Sequence, residues 1–323
     1  MADPAAQTLL ADIGATNARF ALLRRDGDTS PVRTLAVADY PQVTDAAGAF
    51  LAEQGVPLAG AVLAVAGPIE GERVVMTNSP WVIDAAELRQ VLGVAAVRVI
   101  NDFEATAWSL AALEPSHVAA VGAGRAVKGA PMVVLGPGSG LGLASHVPRA
   151  DAPVVIATEG GHVTLAASTP REDAVVAWLR GRYGHVSAER VLSGPGLENL
   201  YRAIAAVDGA DVPDRDATAI TQAGVAGTCP VSRAALDMFC AMLGTFAGNA
   251  ALSFGARGGV FIAGGIAPRI VDYLLSSELR ARFDAKGRLR SYMEAIPLNV
   301  IVHPDYAFIG LKSLVSRLDN TRN

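Results

Sequence analysis

Two segments, each a short strand, a turn of small residues and a second strand, set narrow limits on what this chain can become. The first runs from Leu9–Ile13 through Asp12-Ile13-Gly14-Ala15-Thr16-Asn17 into Arg19–Leu23. The second runs from Met132–Leu135 through Gly136-Pro137-Gly138-Ser139-Gly140-Leu141-Gly142 into Leu141–Ser145. Short apolar runs bounded by such turns read as buried strands. Each half of the chain therefore opens on a hairpin, a pattern that resembles an internal duplication of low identity.

Further apolar runs at Ala61–Ala66, Val97–Ile100, Val154–Ala157 and Gly259–Ala263 read as strands. Helical patterns lie near Arg171–Arg182, Leu197–Ala205, Ser232–Ala256 and Ile266–Leu275. Another helix starts at Asp84, whose carboxylate caps the first turn while Glu87 reaches back, and Gly93 ends it. This is an α/β chain with mixed sheets. Its 323 residues, at roughly 150 residues per domain, indicate two domains. The Pro- and Gly-containing segment Glu114–Gly129 is the best boundary.

Composition removes several classes of function. Charged residues are 18% and hydrophobic residues 51%, which excludes long disordered stretches. A net charge of −4 supplies no positive field for a phosphate backbone, so no nucleic-acid partner is expected. Two cysteines and five histidines offer no zinc spacing and no disulfide framework, and Cys240 reads as a small buried hydrophobe. The N-terminus has no basic leader pattern, which suits a reducing cytoplasm. No charge occurs from Gly129 to Val147 or from Met238 to Ala256. The first stretch is broken by Pro131, Pro137 and its glycines, and the second reads as a helix buried in a protein core, so no membrane partner is expected.

The alternating glycines from Gly136 to Gly142 strip one side of the backbone and let N–H groups approach an anion. They fit neither G-x-G-x-x-G nor the P-loop pattern, and Ser139 lacks the flanking glycines of a nucleophile elbow. A bend between strands and a phosphate cradle both remain open. In the first hairpin, Asp12 at a strand end is placed to hold Mg²⁺ through water, while Thr16 and backbone N–H groups suit a phosphate; an Asx-type turn with a polar tip is the plainer alternative.

Asn101-Asp102 follows the strand Val97–Ile100 and precedes a helix over Phe103–Leu113, a position where open α/β sheets bind ligands. Asp102 also reads as a simple N-cap. Glu159-Gly160-Gly161-His162 imitates a metal-helix pattern, but its glycines favour a turn that presents an acceptor and a two-way ring. Glu189, in Ser187-Ala188-Glu189-Arg190-Val191-Leu192-Ser193-Gly194-Pro195-Gly196, is a third acid, with a solvated helix face or a pair with Arg190 as its plain reading. Such a set suits a small polyol, because each buried hydroxyl left unpaired costs about 1–3 kcal/mol.

With Phe261-Ile262-Ala263-Gly264-Gly265-Ile266 added, these six motifs in this order resemble the bacterial glucokinase family of the actin-like sugar-kinase superfamily across essentially the whole chain. The resemblance implies two actin-like (ribonuclease H-like) domains with mixed sheets flanked by helices and an active-site cleft between them. The small domain would comprise residues 1–112 plus a C-terminal helix at 304–323, and the large one residues 113–303. Asp102 would be the catalytic base in transfer of the ATP γ-phosphoryl group to the C6 hydroxyl of glucose. Asn101, Asp102, Glu159, His162 and Glu189 would hold the sugar. Asp12, Gly14, Thr16, Asn17, Gly138, Ser139 and Gly140 would take the phosphates, with Gly264 and Gly265 near the adenosine and Mg²⁺ as cofactor. The family is commonly homodimeric.

The chain departs from the family at three points. Ser139 stands where threonine is common, the zinc-binding cysteines of the related repressor group are missing, and His303-Pro304-Asp305-Tyr306-Ala307-Phe308-Ile309-Gly310 matches only partly. A kinase for mannose, fructose or N-acetylglucosamine is the nearest rival reading. A sugar sensor without catalysis is another, disfavoured by Asp102 and by a first motif that begins by residue 8.

Overall fold

The computed structural model describes residues 6–320 except positions 68, 70, 77 and 78. The expectations that touch residues 1–5 and 321–323, including the leader reading and the outermost domain limits, lie outside the described residues. In chain order the strands and α-helices begin with β1 (Gln7–Ile13), β2 (Asn17–Leu23), β3 (Arg33–Ala36), α1 (Val43–Ala52), β4 (Leu58–Val65), β5 (Arg73–Val75), β6 (Val82–Asp84) and α2 (Ala85–Leu92). They continue with β7 (Val97–Asn101), α3 (Asp102–Ser109), β8 (Val118–Ala120), β9 (Met132–Pro137), β10 (Leu141–Val147), β11 (Val154–Thr158), α4 (Pro170–Tyr183), α5 (Gly194–Asp208), α6 (Ala217–Ala226) and α7 (Pro230–Phe254). The last are β12 (Gly259–Ile262), α8 (Val271–Ser276), α9 (Leu279–Asp284), α10 (Arg290–Glu294), β13 (Leu298–Ile301) and α11 (Tyr306–Asn320).

The described residues divide into two compact units, one reaching Leu113 and resuming at His303, the other spanning Glu114–Val302. The first unit holds a sheet ordered β3-β2-β1-β4-β7, with β1, β4 and β7 parallel and the hairpin strands antiparallel. Leu9, Leu10 and Ala11 are all fully buried, as consecutive residues of a strand covered on both faces must be. This unit has its own core, centred on Phe20, Phe50, Trp81 and Ile83. Asp84 accepts from the N–H groups of Ala86 and Glu87, and Gly93 closes α2 in the left-handed conformation. The return bond expected from Glu87 is not formed among the described contacts; Asp84 belongs to β6, where it pairs with Arg73.

The second unit holds a sheet ordered β11-β10-β9-β12-β13-β8. Again the hairpin β9–β10 is antiparallel and β9, β12 and β13 are parallel. Its core gathers α5, α6 and α7 around β9 and β12. Helix α7 is apolar and long enough to cross a membrane, and most of it is buried in this core. The expected helix Ile266–Leu275 is a 3-10 turn at Ala267–Ile270 followed by α8. The helix expected over Phe103–Leu113 begins one residue earlier and ends at Ser109.

Candidate active site

In the first unit, Asp12 and Arg19 face each other across the β1–β2 ladder. Arg19 Nε and Nη2 donate to the same oxygen, Asp12 Oδ2, at 3.0 and 2.5 Å. Its remaining nitrogen, Nη1, donates to Pro304 O at 3.1 Å and Asp305 Oδ1 at 3.3 Å, and the guanidinium lies over the Phe308 ring. The first turn is therefore clamped to the start of α11. Within the turn Gly14 N–H donates to Asn17 O at 2.9 Å. The N–H groups of Ala15 and Thr16 make no hydrogen bond among the described residues, and the side chains of Thr16 and Asn17 are exposed.

Asn101 ends β7, which runs parallel to β4, and Asp102 opens α3. The reading of Asp102 as the N-cap is corrected here. Asn101 Oδ1 accepts from Phe103 N–H at 2.8 Å and Glu104 N–H at 3.2 Å and is the cap, while its Nδ2 donates to Gly67 O at 3.0 Å. Asp102 occupies the first helical position, with Oδ1 2.9 Å from Phe103 N–H. Asn101 therefore meets the capping demand at the start of α3. Burial pushes the nearby Glu104 carboxyl above its ordinary range, against the opposing pull of Arg98.

In the second unit three predicted segments come together. Glu159 precedes a 3-10 turn over Gly160–His162, and His162 Nε2 lies 3.9 Å from Glu159 Oε2, both side chains exposed. Gly161 packs so closely on the Leu141 carbonyl that no side chain fits there. Glu189 N–H donates to Gly161 O at 2.9 Å, which joins the 187–189 segment to this turn. Neither plain reading of Glu189 holds. It lies outside the helices, and Arg190 stacks over the Tyr183 ring at 4.5 Å while Glu189 Oε2 accepts from Leu141 N–H at 2.8 Å.

The second glycine-rich turn is more internally bonded than its composition suggests. Gly138 N–H donates to Gly140 O at 2.8 Å, so it is not open to a phosphate, whereas the N–H groups of Ser139 and Gly140 make no hydrogen bond among the described residues. The bare side of Gly140 faces Glu189. Gly264, in a left-handed conformation, rests against Pro137, and Gly265 lies beside Gly138.

A cavity of about 620 Å³ opens here, lined by Gly138, Ser139 and Gly265 among others. Gly194 and Pro195, from the 187–196 motif, also line it, and five further lining residues were not anticipated: Glu198 from α5, Thr218, Thr221 and Gln222 from α6, and Arg269. The spacing 218, 221, 222 puts three polar side chains on one helix face, a signal readable in the sequence. Nothing local distinguished Arg269.

No group of three or more His, Cys, Asp or Glu side chains that would hold a metal ion occurs among the described residues. The chemistry that fits is looser. Both contacts from Arg19 converge on Asp12 Oδ2, leaving Oδ1 for a water of a hydrated cation, and Mg²⁺ typically keeps several waters beside one or two carboxylates and the substrate phosphates.

The model of one family, Glucokinase, matches residues 9–318. The chain belongs to the glucokinase family. The glucokinase of Paramagnetospirillum magneticum is 50% identical over 311 residues, covering 95% of this chain and 97% of that one. The crystal structure of a glucokinase from an Antarctic psychrotroph superposes with a TM-score of 0.87 at 36% identity, covering 96% and 99% of the two chains. A glucokinase from Balamuthia mandrillaris in complex with glucose has a TM-score of 0.79 at 23% identity over 97% and 94%, a likeness of fold alone. The fold is the two-domain actin-like fold of these kinases.

Proposed function

We propose that this chain transfers the γ-phosphoryl group of ATP to the C6 hydroxyl of glucose, giving ADP and glucose 6-phosphate. The observation that carries this reading is the family match over residues 9–318, which includes every candidate segment in both units.

The two units are taken as the two domains, the first completed by α11. Asp102 is the general base: one carboxylate oxygen stays with Phe103 N–H and the other accepts the C6 hydroxyl proton as the oxygen attacks phosphorus. Asn101 has one amide hydrogen beyond its bond to Gly67 for a sugar oxygen. Glu159 supplies acceptors, His162 a donor or acceptor, and Glu189 its Oε1. These groups satisfy hydroxyls that would otherwise be desolvated without partners.

The phosphates are met by backbone N–H groups of Ala15, Thr16, Ser139 and Gly140 and by the hydroxyls of Thr16 and Ser139, with Gly14, Asn17 and Gly138 shaping the two turns. Gly264 and Gly265 lie along the adenosine. Asp12 Oδ1 would hold a water of Mg²⁺, which when bound would supply positive charge to offset that of the phosphates. The enzyme acts in the cytoplasm as a homodimer on small molecules, without nucleic-acid or membrane partners.

The test is ADP release with Mg-ATP across a panel of hexoses, together with Asp102→Asn. Glucose is expected as the preferred acceptor. The variant is expected to keep glucose binding and lose turnover by about 10²–10⁴-fold. Turnover retained in Asp102→Asn would refute the base assignment, and a different preferred hexose would refute glucose.

A further inference from the structure

Glu189 is a junction in the second unit. Its backbone N–H donates to Gly161 O at 2.9 Å, tying it to the Glu159–His162 turn. Its carbonyl accepts from Ser193 Oγ at 2.8 Å, and Ser193 caps α5 by accepting from Gly196 N–H. Its carboxylate accepts from Leu141 N–H at 2.8 Å. The neighbouring Gly194 N–H then donates to Gly138 O at 2.8 Å. One residue thus braces both ends of the glycine-rich turn, Leu141 by its own side chain and Gly138 by way of Ser193 and Gly194.

A Cβ on Gly140 would stand 2.5 Å from Glu189 Oε2, so a side chain at 140 would oblige the carboxylate to move. A hydrogen bond donated by a backbone N–H to a charged acceptor is among the stronger ones, and this one holds the end of the turn that carries the N–H groups of Ser139 and Gly140.

We propose that Glu189 is a positioning residue for the phosphate turn at 138–141 in addition to meeting the sugar, so that its carboxylate couples occupancy of the sugar site to affinity for the nucleotide. This rests on the functional reading above. A hydroxyl on Oε1 holds the carboxylate in the orientation in which Oε2 braces Leu141; by linkage, nucleotide on the braced turn favours sugar equally.

Calorimetry on the full chain with Mg²⁺ and the non-hydrolysable analogue AMP-PNP tests this. Without sugar, Glu189→Ala is expected to weaken the analogue roughly fivefold or more. Glu189→Gln, whose amide oxygen still accepts from Leu141, stays within about twofold of wild type. A residue that served the sugar alone would leave sugar-free nucleotide affinity unchanged in both variants. With saturating glucose, the wild type tightens on the analogue. Gly140→Ala displaces the carboxylate from Leu141 while leaving it intact, and is expected to bind glucose but lose that tightening.

Wild-type nucleotide affinity in Glu189→Ala, or full tightening in a folded Gly140→Ala, overturns the proposal; if Gly140→Ala does not fold, the Glu189 pair decides. A wild-type chain that binds no glucose overturns the functional reading, and the coupling with it. Glucose binding with unaltered variants overturns the coupling alone.

Discussion

Arg19 grips Asp12 with two nitrogens on a single oxygen, and with its third reaches the backbone of Pro304. The register of β1 and β2 places the pair opposite each other, and neither side chain is more than a quarter exposed. The departure from the family pattern around His303–Gly310 thus falls on a segment that this arginine anchors.

A lysine at 19 offers a point charge in place of a planar fork and cannot serve Asp12 and Pro304 together. Hydrogen bonds to charged groups are worth about 1.5–3 kcal/mol, so Arg19→Lys is expected to lower kcat/KM for Mg-ATP by roughly 10- to 100-fold while the glucose KM changes little. Steady-state kinetics with each substrate varied in turn makes the check. An unaltered kcat/KM for Mg-ATP would show that Asp12 needs no such support.

Gly310 lies in α11 where it crosses α3, and a Cβ there would fall on the carbonyl oxygen of Ala105. Gly310→Ala must push the two helices apart, and overpacking of this kind typically costs about 1–3 kcal/mol. Urea unfolding is expected to show that loss. Since α3 starts at Asp102, turnover should fall as well, whereas an unchanged midpoint would mean that the crossing yields without cost.

His146 on β10 is buried, and that burial pushes its imidazole below the ordinary value near 6.5. As pH falls past about 6.5, the unfolded chain takes up a proton that the folded chain refuses, so stability declines from there down to the folded-state pKa. Above that window His146 contributes no pH dependence. Urea midpoints measured from roughly pH 7.5 to 5.5, about one unit either side of the unfolded value, should drop with acidity below that value, and drop less in His146→Gln. Parallel curves for the two proteins would remove His146 as the cause.

The two cysteines should react very differently. Cys240 is fully buried in α7, and burial pushes its thiol up to about 12. Cys229 is partly exposed, and a hydrogen bond with Ser232 lowers its pKa. Iodoacetamide on the native protein, read by peptide mass spectrometry, should label Cys229 and leave Cys240 untouched until the chain is unfolded. Equal labelling in the native state would contradict the burial of α7.

Local chemistry made much of the fold readable. Both hairpins, the α2 helix between Asp84 and Gly93 and the buried helix α7 follow from apolar runs, caps and glycines that lie close together in the chain. The ten-residue helices α1 and α6 escaped, and so did short or broken elements such as β8, the β5–β6 pair and the 3-10 turn before α8. Such pieces carry too few residues for a periodic signal and are held by their neighbours. At 101–102 the residue types were right and the capping role was exchanged, because Asn and Asp cap helices about equally well and only the backbone position separates them.

The candidate site divides in the same way. Motif order carried the family, and residue types carried the chemistry of a polyol and a phosphate, since both depend on side chains a few positions apart. Packing settled which polar atoms remain available. Gly14 and Gly138 spend their N–H groups inside their own turns. One oxygen of Asp12 goes to Arg19, one of Glu189 to Leu141 at a separation of 48 residues, and the amide of Asn101 to Gly67 at a separation of 34. Contacts of that range arise from strand register and the close approach of loops, which spacing along a chain does not encode. They decide which atoms still face a ligand, because a donor or acceptor already held by the protein has little left to offer one.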